Sequence, residues 1–316
     1  MSTAAPCIAT LTLNPAIDSA CEAERVFPTH KVRTMAQRYD PGGGGINVAR
    51  VLARFGGDVA AVYLAGGATG GLLDELIDGI GIRRHRIPIA DHTRMSMAVF
   101  ERATGQEYRF VPEGPLVAEP EWRVALEHCA ALDCSWLVAS GSLPRGVPVD
   151  FFAQLAAALA PRGVRLVLDT SGPALATALD AAGPEGGRLA LVKPSQGEFE
   201  TLMGQKFATP EAIAAAALAL VQAGKAGMVA VTLGHAGAVL AHAGGVVVRP
   251  GIPVNVKSAT GAGDSFVAGM VHALAGGATP VEALRWGMAA GTAAVLNPGT
   301  GLAHVADIEQ LLAQVS

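Results

Sequence analysis

Ala259-Thr260-Gly261-Ala262-Gly263-Asp264-Ser265-Phe266 sets two glycines and a carboxylate where a loop passes into a helix. Phe266, Val267, Met270, Val271 and Leu274 recur at three- and four-residue spacing, which predicts an amphipathic helix over 264–275 that ends at Gly276-Gly277. The glycines then lie at the helix N-terminus, where unpaired N–H groups and the positive end of the helix dipole attract an anion. Asp264 lies beside that anion and would repel it. Its presence makes sense if it takes a proton from an attacking hydroxyl, the division of labour that phosphoryl transfer requires. An Asp that only caps a helix after a Gly-rich turn is the competing reading of these eight residues.

Outward from this segment, apolar strands alternate with helical patterns. Strands are predicted near 8–13, 59–65, 134–139, 164–169, 189–192 and 228–233. Helices are predicted near 46–55, 71–79, 122–132, 150–160, 173–182, 211–223, 264–275, 280–296 and 304–314. Such alternation implies a mostly parallel α/β sheet covered on both faces. No linker or repeat interrupts it, so residues 1–316 read as a single domain. Met95–Glu101 and Tyr108–Val111 around Thr104-Gly105-Gln106 read as a hairpin.

With 316 residues, 51% of them hydrophobic, the chain can bury a large core. A net charge of −4 offers no general attraction to nucleic acid or anionic membrane. The longest uncharged run, Met228–Val248, is broken by His235, His242 and glycines into short strands, so it is not a membrane span. Cys7, Cys21, Cys129 and Cys134 form no C-x-x-C pair and read as reduced thiols of a cytoplasmic protein. Residues 1–7 lack the pattern of a signal peptide. Neither G-x-x-x-x-G-K-[ST] nor G-x-G-x-x-G occurs, which argues against a P-loop kinase and a Rossmann dehydrogenase. The eight histidines offer no further chemistry; His128, His235, His242 and His272, in apolar stretches, read as packed, and Trp122, Trp136 and Trp286 as core.

An anionic substrate therefore needs local cations. Lys31 and Arg33 alternate with Val32, so in a strand both point to one face, and Arg94 enters the hairpin. Such a cluster suits a sugar phosphate; a solvated strand face is the alternative. Asp18 follows the first strand, at the carboxyl end where open α/β sheets bind ligands, and can accept sugar hydroxyls. Gly42–Gly45 run into a helix begun by Ile46 and Asn47, a donor-rich loop or a hinge.

The Gly-Ala-Gly-Asp segment resembles the signature of ribokinase-like sugar kinases. The chain is similar in particular to the PfkB phosphofructokinase branch, through Thr12-Leu13-Asn14-Pro15-Ala16-Ile17-Asp18, Pro41-Gly42-Gly43-Gly44-Gly45-Ile46-Asn47-Val48-Ala49-Arg50, Ser140-Gly141-Ser142-Leu143-Pro144 and Val192-Lys193-Pro194. The matches run in order from residue 10 to residue 300. The resemblance implies a ribokinase-like α/β fold with a small β-lid, segments 17–40 and 92–113, through which two copies would pair.

It also implies the site. Asp264 acts as base and Gly261, Ala262 and Gly263 form the anion hole. Asp18, Gly43, Gly44, Asn47 and Ser142 hold the sugar, and Lys31, Arg33 and Arg94 hold its phosphate. Lys193, Thr232, Gly234, Gly237 and Thr292 line the ATP side. Mg²⁺ is handled through Glu198, and through Ser195 by way of a water. Ser195 is a departure, since the family usually carries Asn there. A monovalent cation, K⁺, would lie near Ser258, Thr260 and Asn297. The implied reaction is ATP-dependent phosphorylation of fructose 6-phosphate at its C1 hydroxyl, with fructose 1-phosphate and tagatose 6-phosphate as rival substrates. Readings of another kind are a sensor with a dead kinase fold, and a nucleoside kinase.

Overall fold

The computed structural model describes residues 8–183 and 186–315. Along the chain run β1 (Ile8–Thr12), β2 (Ala16–Ala23), β3 (Thr34–Gly42), α1 (Gly44–Arg54), β4 (Val59–Gly66), α2 (Gly67–Asp78), β5 (Arg83–Ile89), β6 (Arg94–Glu101), β7 (Gln106–Phe110), α3 (Glu119–Ala131) and β8 (Trp136–Ser140). They are followed by α4 (Phe151–Leu159), β9 (Arg165–Asp169), α5 (Gly172–Ala181), β10 (Leu189–Val192), α6 (Gln196–Met203), α7 (Pro210–Gln222), β11 (Ala226–Thr232), β12 (Ala238–His242), β13 (Gly245–Arg249), α8 (Ala262–Ala275), α9 (Pro280–Val295) and α10 (Val305–Leu312).

The nine-stranded sheet has the order β13-β12-β11-β10-β9-β8-β1-β4-β5. It is parallel from β5 through β11, and β12 and β13 add on antiparallel, so the ribokinase-like α/β expectation holds. Side chains alternate between its faces, as the pleat requires. Val138 packs with α1, α2, α8 and α9 on one face, while Leu137 and Ala139 pack with α3, α4, α5 and α7 on the other. Each fully buried Leu or Ile, such as Leu137 or Ile46, contributes roughly 2 kcal/mol of transfer free energy to this double core. Strand order reverses at β1, with β4 on one side and β8 on the other, and such a switch point opens a crevice at the carboxyl ends of the strands.

A second sheet, β3-β2-β6-β7, forms the lid. Its hairpin turns where the sequence predicts, and Met228–Val248 is the expected set of short strands. Three features differ from expectation. Strand β5 and helix α6 escape the periodic reading, and the strand through Lys31 and Arg33 begins only at Thr34. Before it, the chain turns at Pro28-Thr29-His30, with Thr29 at φ 65°, and Lys31 and Arg33 lie in exposed coil. Cys21, Cys129 and Cys134 are buried, and Cys7 lies outside the described residues. No helix among the described residues is long and apolar enough to cross a membrane.

Candidate active site

The carboxyl ends of the parallel strands set the floor of the crevice. Ser140 and Asp169 close β8 and β9, Lys193 follows β10, and Thr232 closes β11. Helix α8 points its N-terminus at the same place, with Gly261 as a left-handed N-cap at φ 73°. A side chain at Gly261 would meet Leu302 at 2.4 Å. The helix begins two residues earlier than its apolar spacing predicts. Of the three predicted N–H donors, those of Gly261, Ala262 and Gly263, that of Ala262 is drawn toward Ala259 O at 3.4 Å, while those of Gly261 and Gly263, like that of Asp264, belong to the helix start, where no N–H is satisfied internally.

Asp264 sits in the first turn of α8, where Asn47 Nδ2 donates to its Oδ2 at 2.9 Å. Burial pushes its carboxyl up to about 7, Asp169 and Asp18 push the same way, and the Asn47 bond and Lys193 pull it back. A carboxylate that titrates near neutrality suits a general base. Lys193 Nζ pairs with Asp169 Oδ1 at 3.1 Å in a buried site and lies 3.4 Å from where a Cβ on Gly263 would stand. Burial works against its charge, but the carboxylates of Asp169, Glu198 and Asp264 together outweigh that and hold the ammonium above its ordinary value.

On the lid side, the glycine run admits close approach. A Cβ at Gly42 would fall 2.2 Å from Asp18 Oδ2, and one at Gly44 would fall 2.2 Å from Ser140 Oγ. Gly43 has φ 108° and abuts Thr12 and Pro15, so the run is a packed junction of lid and helix rather than loose linker. Burial raises Asp18, and Arg50, Arg109 and Arg94 oppose that shift. Asn14 Nδ2 donates to Ser142 Oγ at 3.1 Å, while its buried Oδ1 has no partner among the described residues. The pairing register puts Asp18, Asp40, Arg94 and Arg109 on one lid face.

Arg94 spends its guanidinium on backbone, donating to Asn14 O at 2.9 Å, Pro112 O at 2.8 Å and Pro15 O at 3.4 Å, so it stitches the lid to the β1 turn beside Asp18. Lys31 and Arg33 are not brought to Asp18. Asp18 pairs with Asp40 in the ladder, whereas Thr34 pairs with Ala23 five residues farther along β2, so the coil that carries both cations leaves from the other end of the lid.

Against the N-terminus of α8 is a cavity of ≈ 580 Å³, of the size small-molecule sites take. Thr232, Gly234, Gly237 and Thr292, predicted for the nucleotide, line it beside Ala262 and Gly263. Val254, Val256, Phe266, Met288 and Val295 make the cavity apolar, as a stacked base requires. His235 also lines it and is exposed, which corrects the reading of this histidine as a packing residue. Arg109, Asp169 and His235 have no motif around them that could have singled them out.

Ser195 caps α6. Its Oγ donates to Glu198 Oε2 at 2.8 Å and accepts from Glu198 N at 3.4 Å, while Ser195 N donates to the same carboxylate at 2.7 Å. The Glu198 carboxylate is felt by both Lys193 and Asp169, and its other oxygen has no protein hydrogen bond among the described residues. No group of three His, Cys, Asp or Glu capable of holding a metal occurs there either. That donor set fits Mg²⁺ arriving with nucleotide phosphates and keeping most of its waters. Ser258 Oγ donates to Gly299 O at 2.8 Å and accepts from Thr260 N at 3.2 Å, and Asn297 Nδ2 donates to Ala293 O and Leu302 O, so all three join the loop pair beside the α8 N-terminus.

A switch-point crevice with a lid, a helix N-terminus bearing a carboxylate, and an apolar cavity against it define a sugar kinase of ribokinase-like fold. Residues 11–306 match the model of the pfkB family carbohydrate kinases, and the chain belongs to that family. It is 39% identical over 310 residues to ATP-dependent 6-phosphofructokinase isozyme 2 of Escherichia coli, covering 98% of this chain and 99% of that one. It is 36% identical over 275 residues, 86% of each chain, to a 1-phosphofructokinase of Xanthomonas campestris. Crystal structures of phosphofructokinase-2 from Escherichia coli superpose with TM-scores of 0.92 in complex with potassium and 0.91 in complex with fructose-6-phosphate, each at 38% identity over 98% of this chain and 99% of that one.

Proposed function

We propose that the protein transfers the γ-phosphoryl group of ATP to the C1 hydroxyl of fructose 6-phosphate, giving fructose 1,6-bisphosphate and ADP, a step of glycolysis. The observation that carries the reading is Asp264, a carboxyl poised near neutrality at the N-terminus of α8, between the lid face of Asp18 and the nucleotide cavity. The fructose ring lies against Asp18, Asn47 and the Gly43–Gly44 junction, with Asn14 and Ser142 beyond, and its phosphate is met by the lid cations Arg94 and Arg109. Lys31 and Arg33, which leave from the other end of the lid, are left out of this phosphate site.

The C1 hydroxyl gives its proton to Asp264 Oδ1, the oxygen that Asn47 leaves free. The hydroxyl oxygen's lone pair forms the new bond to the γ-phosphorus as the bond from that phosphorus to the β-phosphate oxygen breaks, and ADP leaves with the electron pair of the broken bond. Charge on the phosphoryl group in flight is met by the α8 N–H donors and by Lys193. Mg²⁺, held through Glu198 and a water on Ser195, supplies charge neutralisation to the nucleotide phosphates when bound. K⁺ near Ser258, Thr260 and Asn297 would steady the anion-hole loop.

Tyr39, Met95, Met97 and Phe110 share the lid face opposite Asp18, each 39–59% exposed, which supports a homodimer formed through the lids. The free thiols of Cys21 and Cys129 suit the cytoplasm. Phosphorus NMR of the product tests the assignment. Incubation of ATP and fructose 6-phosphate is expected to give two sugar phosphate monoester resonances, those of the 1- and 6-phosphates. ADP released with inorganic phosphate alone would refute it.

A further inference from the structure

Arg50 lies three residues after Asn47 on α1, so the two side chains share one helix face. Only 9% of Arg50 is exposed, and its guanidinium holds three groups at once. Nη1 donates to Pro41 O at 3.0 Å and to Asn47 Oδ1 at 3.2 Å, and Nη2 donates to Asp40 Oδ1 at 3.2 Å. The other oxygen of Asp40 accepts from Thr300 Oγ1 at 2.7 Å, and Arg38, which lies 3.7 Å from it, reaches Pro298 O. Asn47 Nδ2 then donates to Asp264. One unbroken chain of polar contacts thus runs from lid strand β3 and the 298–300 loop to the proposed base.

Donor and acceptor chemistry fixes its direction. A guanidinium only donates, so the Asn47 side chain must turn its oxygen to Arg50, and its NH₂ therefore faces Asp264. An amide turned the other way would present oxygen to oxygen, an arrangement tolerated only when Asp264 carries the proton itself. We propose that Arg50 is a positioning residue for phosphoryl transfer: it locks the Asn47 amide so that Asp264 stays a proton acceptor, and makes that lock depend on β3 being docked.

The inference rests on Asp264 being the base. The groups that face Asp264 sharpen it, for Asp169 and Asp18 both favour its protonated form, while the Asn47 amide and Lys193 oppose them. Loss of the amide bond weakens that opposition, and the sign is an upward shift of the carboxyl.

The test is the pH profile of kcat/KM for the wild type and for Arg50→Met, Asp40→Asn/Arg50→Met, Arg50→Lys and Asp264→Asn. The double variant removes both charges, so neither is left buried and unpaired. Arg50→Lys keeps the charge and the fold but has one nitrogen to serve three partners. The acid limb is expected to move up by about one pH unit in the Met variants, roughly a tenfold loss below neutrality that narrows toward pH 9, and by less in Arg50→Lys, with KM for ATP unchanged. An acid limb superimposable on the wild type in Arg50→Lys and in whichever Met variant folds would overturn the proposal. Wild-type turnover by Asp264→Asn would instead overturn the base assignment beneath it, which keeps the two failures apart.

Discussion

At the scale of single residues, Asp264 stands against two opposed demands, since its proposed role as base needs its charge and burial penalises it. Asp264→Asn is expected to lower kcat by orders of magnitude with little change in KM, as steady-state kinetics will show. In the wild type, kcat/KM should fall about tenfold per pH unit below roughly 7, because the free enzyme's carboxyl is pushed up to about 7. Stability runs the other way. A folded value above the ordinary 3.8 means the contribution is fully present below that value and is lost as pH rises through about 7. The Asn variant escapes this loss, so its advantage in urea unfolding should grow between about pH 4 and 7 and level off above, at a few kcal/mol at most. A stability difference independent of pH would contradict the assignment.

At the scale of elements, α6 opens on Ser195, which caps it and, in the proposed reading, also holds a water on Mg²⁺. Ser195→Ala removes the capping box and should cost about 1 kcal/mol in thermal or urea unfolding, whereas Ser195→Asn keeps a capping side chain and should leave stability nearly unchanged while altering the Mg²⁺ dependence of turnover. An unchanged Mg²⁺ titration in Ser195→Asn would show that the cap is all this serine provides. Ser-x-x-Glu was readable as a helix start, yet α6 spans only eight residues, too short for its apolar period to stand out. Strand β5 was hidden differently. Arg83-Arg84-His85-Arg86 reads as a solvated charge run, but Asp58, Asp74 and Asp78 from neighbouring segments neutralise those arginines at the sheet edge. Elements whose own residues carry a period, such as β8 or α9, were legible because nothing outside them sets their pattern. The site divides on the same line. Gly261–Asp264 and Gly42–Asn47 are contiguous and could be read directly, while Arg109, Asp169, Arg50 and His235 gain meaning only when distant strands and helices bring them together.

At the scale of the whole molecule, the lid faces two ways, with a polar face on the sugar site and an apolar face outward. Met97→Asp or Phe110→Asp on the outer face should shift the protein from dimer to monomer in light scattering, and should raise KM for the sugar phosphate if the paired lids steady one another. A wild type that is monomeric at micromolar concentration would remove the lid from that role. The central claim concerns the reaction itself. It is tested most directly by the rate of ADP formation from ATP and Mg²⁺ with fructose 6-phosphate, fructose 1-phosphate, tagatose 6-phosphate and adenosine in turn. The account predicts the highest kcat/KM on fructose 6-phosphate; a higher value on any of the others, or no turnover on all four, would contradict it.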